Sequence, residues 1–332
     1  MTTLNDTAFC ASASQTDFIG FCILMPTFMC LLSVFICGGN LLTITAVCST
    51  RSLQTTPNMY VVSLAVADLI VGFNVFFESF WYNALTEGDI AHCKFCCLSN
   101  LSTLYTSLFA SMASVVLIAV DRFLYICYPF KYEDLVTQRK TQIVIIVTWI
   151  ISLILGTFPL YLNSFDAVQE CAHTGVLPVW YQIYFEEQVF ASVLILCLVL
   201  YAGIMNIARR QLRSIQATTV DPAHNSAEGK NWKVVRLMLL VCGGFFVCWC
   251  PYHVSVVINH VSFVSEDVMD VLFPLGILNS GVNFIIYALM NRDFRQAFRR
   301  RVCCCRRFWE HDSSGGATAQ TTLHLNGLVH SS

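Results

Sequence analysis

Charge is scarce in this chain. Only 12% of its 332 residues are Asp, Glu, Lys or Arg, where a soluble domain carries roughly a quarter, and no stretch is polar enough to form a soluble domain of its own. Neither sign is in excess, since 19 basic and 21 acidic side chains leave a formal charge of -2, which argues against nucleic-acid binding. There is no internal repeat of fixed period, no zinc-protease motif and no phosphate-binding loop. The first 17 residues hold Asp6 and Asp17 but no Lys or Arg. A cleaved signal peptide needs a charged n-region, so the first apolar span is expected to serve as the insertion signal. What the sequence does have is apolar surface: 56% hydrophobic residues and a mean hydropathy of +0.63.

That apolar content falls into seven stretches, 18–49, 57–82, 93–127, 140–163, 179–208, 234–261 and 268–290. Each reaches the roughly 20 residues a spanning helix needs. The expected fold is therefore an all-α membrane protein, a seven-transmembrane helix bundle. Assigning alternate loops to opposite sides puts 18 of the 19 basic residues on one face, with Lys94 alone opposite. The positive-inside rule makes that face cytoplasmic and the N-terminus extracellular, as in a multi-pass plasma-membrane protein. Asn5-Asp6-Thr7 in the outer tail reads as a glycosylation sequon; Asn100-Leu101-Ser102 matches the same pattern inside a span and is set aside.

Ionisable groups inside a membrane are costly and mark function by default. The spans contain Asp68, Glu78, Asp121 with Arg122, Glu186 with Glu187, and His253, together with the amides Asn40, Asn74, Asn279 and Asn283. Pro251 removes a backbone hydrogen bond and kinks its helix, leaving Trp249 on the inner side of a hinge. Asp68, Ser111, Asn279, Ser280 and Asn283 share mid-membrane depth, where a carboxylate needs pairing or solvation. A small hydrated cation is the natural partner, and a water-filled polar network without the ion is the alternative. After the last span, Phe294 and Phe298 stand at i, i+4 among basic residues. Residues 291–302 therefore read as an amphipathic helix on the membrane surface. Cys303, Cys304 and Cys305 follow as palmitoylation sites; three adjacent thiols without a second Cys/His pair make a poor zinc pattern. The remainder of 303–332 is Ser, Thr, Gly and His and reads as a disordered cytoplasmic tail.

Gly39-Asn40, Leu64-Ala65-Val66-Ala67-Asp68, Asp121-Arg122-Phe123, Trp149, Cys248-Trp249-Cys250-Pro251 and Asn283-Phe284-Ile285-Ile286-Tyr287 occur in order, one per expected helix. On these residues the chain resembles the class A, or rhodopsin-like, G protein-coupled receptors, with partial similarity to adenosine, melanocortin and aminergic members. The resemblance implies that Arg122, held by Asp121, swings towards Tyr201 and Tyr287 on activation and faces the G protein. It implies that Pro129 and Phe130 form the intracellular-loop contact with that protein, and that Trp249, Pro251 and Asn283 form the activation switch. It also implies a sodium site at Asp68, Ser111, Asn279 and Asn283 that stabilises the inactive state, with no other cofactor. Such receptors join a Cys at the top of the third helix to one in the second outer loop, here Cys97 and Cys171. Cys96 and Cys93 lie close enough in register to compete, and Cys10 can be written as a partner for Cys93.

Three departures from the family pattern stand out. Phe284 replaces the Pro expected after Asn283, Val193 replaces a mid-helix Pro in the fifth span, and Asn231-Trp232-Lys233 at the start of the sixth offers no acidic residue to latch Arg122. A weaker latch implies elevated basal signalling. Aminergic receptors place an Asp 18 residues before this Arg, and here that residue is Leu104, so conventional amine binding is disfavoured. The expected pocket, Glu78, Leu104, Tyr105, Leu108, Tyr252, His253, Phe273 and Ile277, with Phe109 and Met269, is aromatic and apolar. The outer loops and Glu186 and Glu187 make its mouth acidic, which favours a cationic small molecule or peptide by steering. The expected partners are that extracellular ligand, a heterotrimeric G protein, arrestin and membrane lipids. A transporter or channel built on the Asp68 network is the alternative, but neither inverted repeats nor a continuous polar path is visible. An intramembrane enzyme is disfavoured because His253 shows no obvious Cys, Ser or carboxylate partner at its depth.

Overall fold

The computed structural model describes residues 24–84, 93–168, 176–217, 222–262, 264 and 266–301. Seven long helices carry the apolar stretches: α1 Met25–Ser49, α2 Thr56–Ala84, α3 Lys94–Cys127, α4 Gln138–Gly156, α5 Glu187–Ala217, α6 Pro222–Val261 and α7 Glu266–Met290. Residues 292–301 form α8, and no strand occurs among the described residues. Each of the seven contains a window long and apolar enough to cross a membrane, so the bundle is the one expected from the hydropathy pattern.

Local chemistry sets several of the boundaries. Pro26 occupies the first turn of α1, where its missing N–H costs nothing. Thr137 caps α4 by accepting the Lys140 N–H at 3.4 Å. At the head of α5 a π-helical turn, Tyr181–Glu186, precedes the regular helix; it accompanies the Val193 position, where no Pro is present to bend the span. Pro251 and Pro274 sit inside α6 and α7.

Only 17% of the apolar window of α4 and of α5 is buried by protein, against 61% for α2 and 56% for α3. Thus α2 and α3 form the middle of the bundle, while α4 and α5 turn large faces such as Ile146, Ile150, Leu153, Leu198 and Val199 to lipid. Small residues set the closest crossings. A Cβ at Gly156 of α4 would run into the backbone of Thr106 on α3. A Cβ at Gly39 of α1 would enter the ring of Phe284 on α7, which also packs against Phe35 with ring centroids 5.2 Å apart. Phe284, in place of the expected Pro, is therefore accommodated by the bare backbone of Gly39. The Trp149 indole N–H donates to the Ser63 hydroxyl at 3.0 Å, and Ser63 meets Ser114 at 3.1 Å, tying α4, α2 and α3 together.

Cytoplasmic to α7, α8 folds back under the bundle. Phe294 and Phe298 are buried in the common core, Phe294 stacks on Tyr287 at 5.4 Å, and Arg301 hydrogen-bonds Ser49 at the end of α1. Its apolar side thus packs largely against protein. On the opposite side of the membrane Lys94 pairs with Asp166 at 2.5 Å. Cys93 is disulfide-bonded to Cys96 one turn along α3, which corrects the pairing of Cys93 with Cys10 and removes both residues as competitors at the Cys97 position. Cys97 is itself disulfide-bonded and fully buried. Asn5, Cys10, Cys171 and Cys303 to Cys305 lie outside the described residues.

Candidate functional site

Three clusters follow one another down the bundle. Near the outer side, α3, α6, α7 and the turn at the head of α5 line a cavity. Tyr105, Leu108, Tyr252, His253 and Phe273 line it, as do Phe109, Met112, Glu186, Phe245 and Trp249. Leu104 and Ile277 are instead packed into the protein, 2% and 0% exposed, and Glu78 is exposed on α2, away from the wall. Gly276 on α7 leaves room for the Trp249 ring, whose carbons would lie 2.6 Å from a Cβ there. A second cavity nearer the outer surface includes Gln182, Glu187, Asn259, His260 and Met269 and shares Glu186 and Tyr252 with the first.

His253 has a carboxylate partner, contrary to the sequence reading. Its Nδ1 lies 2.9 Å from Glu187 Oε1, and both side chains are close to nine-tenths buried. The imidazole also stacks on Phe190, with centroids 3.7 Å apart and planes at 19°. Glu186, the preceding residue, accepts instead from the Tyr105 hydroxyl at 3.3 Å. The two carboxylates thereby tie α5 to α6 and to α3. This is a structural hydrogen-bonded pair rather than a catalytic dyad, because no nucleophile accompanies it among the described residues.

The floor of the cavity opens onto the second cluster. Ser111 and Ser280 line the cavity and also bind Asp68: Ser111 donates to Oδ1 at 2.9 Å, and Ser280 is a further hydrogen-bond partner. Asn283 donates to Oδ2 at 2.8 Å. Asn40 reaches from α1 to the Ser280 carbonyl at 2.9 Å. Asp68 is 0% exposed, with Asn279 buried nearby on α7. Donors from α3 and α7, all neutral, thus converge on the α2 carboxylate, with α1 attached through Ser280, an oxygen-rich setting with the chemistry to hold a small hard cation.

The third cluster lies at the cytoplasmic end. Arg122 Nε sits 3.1 Å from Asp121 Oδ2, and the other oxygen of Asp121 accepts from the Tyr132 hydroxyl at 2.7 Å. Tyr132, in the one-turn helix Tyr132–Leu135 after α3, went unnoticed in the sequence; a Tyr ten residues after an Arg carries no signal until the loop folds back. Burial and then the contact with Asp121 push its hydroxyl well above the ordinary tyrosine range, so it remains a donor throughout neutral pH. Phe130 is 99% exposed, next to the exposed Pro129. Tyr201 rests against the hydrogen-bonded thiols of Cys197 and Cys242 on α5 and α6. Tyr287 is buried with a hydroxyl that has no hydrogen-bond partner among the described residues. Tyr287 lies within electrostatic reach of Arg122 and of Cys242, the thiol that Tyr201 also faces.

A family model described as 7 transmembrane receptor (rhodopsin family) matches residues 39–287. The histamine H2 receptor of Cavia porcellus is 29% identical over 327 residues, covering 93% of this chain and 86% of its own. The adenosine receptor A2b of Mus musculus is 30% identical over 318 residues, covering 87% of this chain and 93% of its own. The histamine H2 receptor of Homo sapiens is 28% identical over 283 residues, 80% of this chain and 76% of its own.

Proposed function

The chain belongs to the rhodopsin family of seven-transmembrane receptors, proteins of the plasma membrane that are not enzymes, and from that premise we propose how it signals. An extracellular small molecule enters the aromatic cavity above Trp249. Its occupancy is passed to the cytoplasmic ends of α5, α6 and α7, which open around Arg122 and engage a heterotrimeric G protein. The observation that carries this reading is the pair of serines, Ser111 and Ser280, that belong at once to the cavity floor and to the Asp68 network. A ligand pressing on that floor changes the surroundings of Asn283 and, one turn further, Tyr287. The relatives' printed names, histamine and adenosine, favour a small molecule over a peptide. Leu104, buried and apolar on α3, sets the ligand's anchor apart from that of a conventional aminergic receptor.

Other residues complete the proposal. Pro129 and Phe130 contact the G protein; Cys97 bonds Cys171; Asn5 carries a glycan; and Cys303 to Cys305 carry palmitate beside α8 at the inner leaflet. Arrestin binds the same cytoplasmic opening. Guanine-nucleotide exchange on a panel of co-expressed G proteins tests the whole. Exchange above mock membranes is expected even without ligand, because no acidic residue at Asn231 to Lys233 latches Arg122, and histamine and adenosine serve as the first probes. Exchange equal to mock for each G protein class, with and without probes, overturns it.

Sodium at Asp68 is a separate expectation. Replacing potassium by sodium in the assay lowers ligand-free exchange of the wild type, and Asp68→Asn, which keeps the hydrogen bonds but loses the charge, abolishes that difference. A sodium effect of equal size in Asp68→Asn leaves the network as a purely structural one.

A further inference from the structure

The outer cavity system holds two carboxylates, Glu186 and Glu187, and two imidazoles, His253 and His260, beside a largely aromatic shell. Glu186 and Glu187 are adjacent, and side chains one residue apart on an α-helix diverge by about 100°. The π-helical turn that ends at Glu186 joins α5 at this point, and the two carboxylates have different neighbours. Glu187 faces a basic group, His253, at 2.9 Å. Glu186 meets a phenol, Tyr105, at 3.3 Å. A hydroxyl donates one hydrogen bond but no countercharge, and a desolvated carboxylate lacking a cation is costly. Glu186 and Tyr252 are also the side chains common to the deep cavity and the outer one, so Glu186 borders the route between them. On the α3 side the wall offers no acid: it is made of Tyr105, Leu108, Phe109, Ser111 and Met112. Below Glu186 the deep cavity presents the rings of Phe109, Phe245, Trp249, Tyr252 and Phe273, whose faces attract cations and stack on flat rings.

Resting on the ligand-gated reading above, we infer that Glu186 is the anchor for the ligand's positive charge, and that the ligand is a compact monocation joined to a flat, largely apolar ring. The ammonium or amidinium group pairs with Glu186 at the junction of the two cavities, and the ring descends towards Trp249. Glu187 does not serve, because His253 already occupies it. The charge is thus read from the turn at the head of α5, not from the α3 position that Leu104 fills.

The test is a thermal-midpoint measurement on the purified full-length chain, without G protein, using phenethylamine and benzamidine as cationic probes and 2-phenylethanol as a neutral one of similar shape. Both cations are expected to raise the midpoint in a saturable way and the alcohol to leave it unchanged. In Glu186→Gln the half-maximal cation concentration rises roughly 30-fold or more, the scale for losing one member of a buried charge pair, whereas Glu187→Gln moves it far less. Should Glu186→Gln fail to accumulate, the comparison of cation with alcohol on the wild type still decides. Equal shifts from cation and alcohol, no shift from either cation, or an unchanged concentration in Glu186→Gln overturns the inference. The coupling proposal is judged apart from it: cation binding without nucleotide exchange leaves Glu186 as the anchor and sinks the coupling, and exchange without cation preference does the reverse.

Discussion

A chain carrying Arg122→Ala loses nucleotide exchange down to the level of mock membranes, while Asp121→Asn raises the ligand-free rate. The guanidinium is 21% exposed and the Asp121 side chain 2%, so the pair is sheltered enough for its charges to matter. Unit charges 4 Å apart attract by about 4 kcal/mol at an effective dielectric constant near 20, and part of that is offset by desolvation. Each 1.4 kcal/mol or so withdrawn from the resting arrangement shifts the resting-to-active ratio about tenfold. Asn in place of Asp121 keeps an acceptor for Tyr132 but no charge for Arg122, so a several-fold to tenfold rise is expected. Tyr132→Phe leaves the charge and removes one hydrogen bond at 2.7 Å, giving a smaller rise. The hydroxyl's titration is displaced upward by burial and by Asp121. Its contact is therefore complete below the ordinary tyrosine range and is lost only on the far alkaline side, so neither chain should show a break at neutral pH that depends on Tyr132. An Arg122→Ala chain with wild-type exchange and normal surface expression would reduce Arg122 to an interfacial anchor.

The second large effect concerns stability. Glu187→Ala or His253→Ala, taken singly, is expected to cost roughly 1–3 kcal/mol, the range for leaving a buried hydrogen-bonding group without its partner. The thermal midpoint of the purified chain should fall accordingly. Glu187→Gln keeps an oxygen near Nδ1 and loses less. The double replacement Glu187→Leu with His253→Phe is expected to recover most of the loss, because nothing polar is stranded and a phenyl ring can take the imidazole's place over Phe190, 3.7 Å away. If the single losses simply add in the double variant, the two side chains act independently and the 2.9 Å contact contributes no coupling.

The helices were readable because the physics that defines them is local. A spanning segment must be apolar for its whole length, so α1 to α7 announced themselves in single stretches of sequence, and Arg and Lys placement gave the sides. Depth was readable too: Asp68, Ser111 and Asn283 were grouped by level, and the structure hydrogen-bonds Ser111 and Asn283 to Asp68. Lateral neighbours were not readable. Glu187 and His253 were both noticed, yet their contact depends on the rotation of α5 about its axis, which the π-helical turn Tyr181–Glu186 helps to set; hydropathy carries no record of an extra residue in one turn. Leu104 and Ile277 were assigned to the pocket by register, but packing density between helices closed over them. Tyr132 depended on a loop folding back, and Gly276 on the size of the Trp249 ring across the helix pair.

Phe284 and Gly39 are two halves of one fit, a ring on α7 filling the space left by a missing side chain on α1. Neither position is free to change alone. Restoring the family's proline at 284 would empty a void the size of a benzene ring between α1 and α7, and enlarging Gly39 first would push the ring out. The route between this chain and a proline-bearing relative must therefore pass through a loosened intermediate or change both helices together. Family-wide rules for α7 thus transfer here only when α1 is rewritten with them.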